Sequence, residues 1–95
     1  MATLELLTVS AIKEKMELLH PHWVLKEKEL YLAIQFSDFE TAITFINKVA
    51  KLAIKQNHHP KIINEYNRVL LELTTHDADG LTVKDFELAQ AIDSL

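Results

Sequence analysis

Leu30-Tyr31-Leu32-Ala33-Ile34-Gln35-Phe36-Ser37-Asp38-Phe39-Glu40, running on to Asn57, is the stretch on which the architecture of this chain turns. Its first half alternates: Leu30, Leu32, Ile34 and Phe36 fall on one face, and Tyr31, Ala33 and Gln35 on the other. That two-residue period is the mark of a half-buried strand. Beyond Ser37 the period lengthens, and Phe39, Ala42, Ile43, Ile46, Val49, Ala50 and Ala53 recur at helical spacing to form one long apolar stripe. Ser37 to Glu40 reads as a capping box, the serine hydroxyl accepting from the backbone near Glu40 and the glutamate reaching back to the serine N–H. Asn57 is the expected helix end, and Pro60 enforces the stop.

Upstream, Trp23-Val24-Leu25 reads as a strand joined to the first by the charged turn Lys26-Glu27-Lys28-Glu29. A helix is expected before it, capped by Thr8 or Ser10, with Ile12, Met16 and Leu19 on one face. Pro21 cannot continue that helix, which should end around His20. Downstream, Ile62-Ile63 through Tyr66 and Val69 through Thr75 predict two more strands, with Asn64 to Asn67 between them or within a bulge. In the last strand Val69, Leu71 and Leu73 face one way, while Leu70, Glu72, Thr74 and His76 face the other. Asp77-Ala78-Asp79-Gly80 is a turn. Thr82 caps a final helix with Asp85 at its third position, and Leu81 can pack on Phe86 as a hydrophobic staple. The order α-β-β-α-β-β-α predicts an α+β fold, a four-stranded, mainly antiparallel sheet with three helices on one face, and residues 1–95 as a single domain.

Composition narrows the function classes. An apolar fraction of 48% with 25% charged residues is that of an ordinary globular domain. The net charge of −4 argues against nucleic acid, which needs clustered Lys and Arg. Lys48, Lys51 and Lys55 recur at helical spacing, but as a solvated face. The chain has no cysteine, hence no disulfide or thiolate chemistry, which suits a reducing cytoplasm. Met1-Ala2-Thr3-Leu4-Glu5 has no basic segment leading into an apolar run, so no signal peptide is expected. No apolar stretch approaches the ~20 residues of a membrane helix.

The chemistry lies in the last third. His58-His59-Pro60 is followed by Tyr66-Asn67, then His76, then Asp85. Imidazole titrates nearest neutrality and so both gives and takes protons. A lone histidine at a strand end is by default structural, and His20 and His22, flanking Pro21, receive no role. Three histidines also suit zinc. However, adjacent His58 and His59 would point to different sides if extended, so no metal is expected. No serine or cysteine nucleophile motif, phosphate loop or glycosidase-like carboxylate pair stands out.

The ordered strings Asn-His-His-Pro at 57–60, Tyr-Asn-Arg-Val at 66–69, Thr-Thr-His-Asp at 74–77 and Gly80-Leu81-Thr82 followed by Asp85 resemble the pterin-4a-carbinolamine dehydratases. The likeness covers nearly the whole chain and is weakest before Trp23. It implies a cofactor-free hydro-lyase that removes water from a 4a-hydroxytetrahydropterin to give a quinonoid dihydropterin. It further implies His58 and His76 as the acid–base pair, and His59 as a catalytic residue that also binds the pterin ring. Pro60, Tyr66 and Asp85 complete the substrate-binding set, although Asp85 is equally explained as an acid at a helix start. The same resemblance implies a pterin substrate, a homodimer or dimer of dimers, and a cytoplasmic setting. Ile54 stands where an ionisable residue is common, Asn57 where aspartate is often found, and Ile62 where an aromatic side chain would stack on the pterin. These departures keep two alternatives open: a weak or inactive member serving as a coactivator-like protein-interaction module, and a member serving another pterin pathway such as that of molybdopterin.

Overall fold

The change of period after Phe36 is a change of element. In a computed structural model describing residues 4–95, β2 (Glu29–Gln35) is followed by α2 (Phe39–Gln56). The first three residues, read above for a signal segment, lie outside the described residues. The other elements are α1 (Val9–Met16), β1 (Val24–Lys26), β3 (Lys61–Glu65), β4 (Arg68–Leu73), a 3₁₀ turn (His76–Ala78) and α3 (Val83–Asp93). The sheet order is β1-β2-β4-β3 with every pair antiparallel, so the expected α-β-β-α-β-β-α architecture stands.

Register explains the core. Leu30, Leu32 and Ile34 lie opposite Leu73, Leu71 and Val69, and Ile62 lies opposite Leu71. This single face of alternating side chains packs against Ala42 and Val49 of α2 and against Phe86, Leu88, Ala89 and Ile92 of α3. Fully burying a Leu or Val contributes roughly 1.5–3 kcal/mol, so this layer is the main source of stability. Ile12 and Met16 of α1 are only partly covered by it.

Three local expectations are corrected. Asp38, not Ser37, is the N-cap of α2, and its Oδ1 accepts from Thr41 N–H at 2.8 Å. A carboxylate is the better anion for the positive end of a helix, and the helix therefore begins one residue later. The first helix stops at Met16 instead of near His20. Leu18 and Leu19 donate back to Lys15 and Met16 in tight three-residue turns, which carry Leu19 into the core. Ile62, expected at a stacking position, belongs to the core-facing side of β3.

Both hairpins close through two residues, Glu27-Lys28 and Tyr66-Asn67, with Glu27 and Tyr66 at positive φ of 55° and 52°. Asn67 resolves the segment whose turn the sequence left open. Its amide donates to Phe36 O at 2.9 Å while Phe36 N–H donates to Asn67 O, which ties this turn to the end of β2. Trp23 Nε1–H donates to Asp93 Oδ1 at 2.7 Å and His20 N–H to Asp93 Oδ2 at 2.8 Å, fastening the entry to β1 onto the end of α3.

Candidate active site

Asn57 begins the site. It takes the left-handed conformation at the end of α2 (φ 51°, ψ 45°), which asparagine tolerates better than most residues. Its N–H donates to Ile54 O and that of His58 to Ala53 O, a Schellman pair that satisfies the last carbonyls of the helix. The reversal turns the His58 side chain inward, where the residue is only 9% exposed.

There His58 Nε2 meets Asp85 Oδ1 at 2.6 Å. Asp85 is wholly buried. Its other oxygen accepts from Thr75 Oγ1–H at 2.8 Å and from Thr82 N–H at 2.9 Å, the latter closing the capping box of α3. The reading of Asp85 as an acid at a helix start is therefore correct for one oxygen, while the other holds an imidazole. An ionised carboxylate only accepts, so it stays buried by collecting donors from three segments. With both oxygens engaged and no exposure, Asp85 holds a histidine and is not itself among the residues that line the cleft.

His58 and His76 open on one cleft of about 290 Å³, together with His59, Asn57, Thr74, Asp77 and Lys84. Thr75 also lines it, and Asp85 lies behind Thr75 and His58, bonded to both. His76 starts the 3₁₀ turn, which a two-way backbone pairing of Thr75 with Gly80 holds in place. Thr74 and His76 also border a neighbouring depression lined by Glu27, Lys28, Glu29 and Asp79. The Lys28–Asp79 ion pair at 2.8 Å and the Thr74 Oγ1–H bond to Lys28 O at 2.8 Å fasten the β1–β2 turn beside it. A larger concavity of about 480 Å³ on the helix-free face of the sheet is lined by residues such as Ala33, Ile63 and Leu70 and holds no histidine.

Two expected residues fall outside the cleft. Tyr66 is 65% exposed at the tip of the β3–β4 hairpin, and Pro60 leads into β3 without lining the cavity. Ile54 is 71% exposed on α2, and it too is absent from the lining. Conversely, Lys84 had no sequence signal of its own, and Thr75 carried none beyond its place in the Thr-Thr-His-Asp string. Thr75 is an ordinary strand residue until the fold sets it beside Asp85. Among the described residues no group of three His, Asp or Glu is arranged to hold a metal ion, and no helix is long and apolar enough to cross a membrane.

A sequence model of the family described as pterin 4 alpha carbinolamine dehydratase matches residues 5–95. The chain belongs to this family. A relative from Acidobacterium capsulatum, provisionally named a pterin-4-alpha-carbinolamine dehydratase, is 49% identical over 89 residues, covering 94% of this chain and 96% of its own. Another from Nostoc punctiforme, named in the same provisional way, is 43% identical and covers 96% and 97%. Among solved structures, the crystal structure of a transcriptional coactivator/pterin dehydratase from Brucella melitensis superposes with a TM-score of 0.85. That chain is 34% identical, and the match covers 93% of this chain and 95% of it. In this member of the family the recognised histidines thus come from two segments, the end of α2 and the end of β4, and share one opening.

Proposed function

We propose that this chain dehydrates a 4a-hydroxytetrahydropterin. The hydroxyl on C4a leaves as water, the neighbouring N5 loses its proton, and a C4a=N5 double bond forms. His76 in its protonated form would donate to the departing oxygen, and His58 would accept the N5 proton. His59 would hold the ring by hydrogen bonds. Each positioned proton transfer contributes about 10²–10⁴-fold. The products leave His58 protonated and His76 neutral, and exchange with water resets both.

The observation that carries this reading is the pairing of Asp85 with His58, which lines a cleft that His59 and His76 also border. A buried carboxylate on one ring nitrogen orients the imidazole and stabilises the imidazolium that forms when the other nitrogen takes a proton. We further assign the protein to the cytoplasm as a homodimer or dimer of dimers, a reading supported by the lack of cysteine and by the exposed Val24 and Leu25 on the edge strand β1.

The test is turnover. The purified protein should speed the appearance of quinonoid dihydropterin from its carbinolamine, and His58→Ala and His76→Ala should each lose about 10²-fold or more while remaining folded. Unchanged rates in both variants would remove the proposed pair. The exposed Ile54 favours a second reading, a protein-interaction module on this fold. No turnover together with a stable heteromeric complex that Ile54→Glu disrupts would favour it.

A further inference from the structure

We propose that Thr75 is a positioning residue that fixes which nitrogen of His58 carries the proton, an inference that rests on the reading of His58 as the proton acceptor. It follows from counting donors. Thr75 Oγ1 lies 2.8 Å from Asp85 Oδ2 and 2.8 Å from Thr82 Oγ1. A hydroxyl has one proton, and an ionised carboxylate has none to give. The Thr75 proton therefore goes to Asp85, and Thr82 must donate to Thr75. Thr82 Oγ1 in turn accepts from Lys84 N–H at 3.3 Å. Every donor in this buried chain points one way, from the backbone at the start of α3 through two threonine hydroxyls to Asp85.

The consequence reaches His58. Oδ2 takes both of its donors, the Thr75 hydroxyl and the Thr82 amide, and leaves Oδ1 as the acceptor turned to the imidazole. Nε2 must then be the protonated nitrogen, and Nδ1 is left with its lone pair. Among the described residues no side chain or backbone group hydrogen-bonds Nδ1. Thr75 also governs the second histidine, because its backbone pairing with Gly80 sets the turn on which His76 stands. One residue therefore couples both sides of the cleft, through its hydroxyl to His58 and through its backbone to His76.

Thr75→Val keeps the shape and removes the proton donor. Nitrogen NMR of the labelled protein, at a pH where imidazole is neutral, should show His58 in the Nε2–H form in the wild type and shifted towards the Nδ1–H form in Thr75→Val. Dehydration by this variant should fall about tenfold to hundredfold in kcat with KM within about twofold. Thr75→Ser should restore both the spectrum and the rate. A wild-type His58 already in the Nδ1–H form overturns the inference without any variant. So does a Thr75→Val protein whose His58 spectrum and kcat match the wild type. If the wild type has no dehydratase activity but Thr75→Val moves the His58 spectrum, the positioning role stands and the proposed reaction fails.

Discussion

Asp85→Asn isolates the role of the buried carboxylate. Three donors converge on Asp85: His58 on Oδ1 at 2.6 Å, and Thr75 and Thr82 on Oδ2 at 2.8 and 2.9 Å. An amide has one oxygen and one NH₂. Two of the three donors share the Oδ2 site, so the amide oxygen belongs there and the NH₂ is turned towards His58. Nε2 must then accept, and the imidazole proton moves to Nδ1. The capping box survives, because the amide oxygen still receives Thr82 N–H. Three charge-assisted bonds become neutral ones, a loss of about 1 kcal/mol each or about 3 kcal/mol together, which still leaves a domain of ordinary stability mostly folded. The rate should suffer far more, because the nitrogen meant to accept a proton now carries one: about 10²–10⁴-fold. Initial rates of carbinolamine dehydration, corrected for the spontaneous reaction, give the first quantity, and the urea midpoint gives the second. A folded Asp85→Asn protein that keeps more than about a third of the wild-type rate would refute this tautomer argument. Asp85→Ala is the contrasting control. It leaves three buried donors without an acceptor and should cost more stability still, about 3–5 kcal/mol.

Tyr66→Phe should leave kcat and KM within about twofold of the wild type, the range of a surface change away from special features, since Tyr66 is exposed at a hairpin tip outside the cleft. A tenfold loss in a steady-state assay would return it to the site. The Thr41 hydrogen bonds hold the Asp38 carboxyl below its ordinary value. A depressed carboxyl stabilises the fold fully above its unfolded pKa, near ~3.9, and loses that contribution as the pH falls through its lower folded value. The stability difference between wild type and Asp38→Ala, measured by urea unfolding, should therefore be constant near neutrality and shrink as the pH drops below about 4. A difference that grows in acid contradicts Asp38 as the working cap of α2.

The fold was legible because its elements announce themselves locally. The alternation from Leu30 to Phe36, the stripe from Ala42 to Ala53 and the Thr82-to-Asp85 capping box each follow from backbone periodicity or a short-range bond and stand in the structure, whereas Phe39, read as the start of that stripe, is 47% exposed in the first turn of α2. Boundaries were less legible, as Ser37 and the end of α1 show, because adjacent residues compete for the same cap or turn. The histidines were legible as a set by family resemblance, but their arrangement was not. Tyr66 shares their string in the sequence and yet sits on a hairpin turn, where its neighbour Asn67 does the structural work.

The order of residues alone was enough for strands, helices, the single apolar face and the family, since each depends on neighbours a few positions apart. The partnership of His58 with Asp85, 27 positions away, and the recruitment of Thr75 as its donor needed the closed fold. A buried carboxylate is stable only where separate segments bring their N–H and O–H groups to it, and spacing along the chain does not record which segments those are.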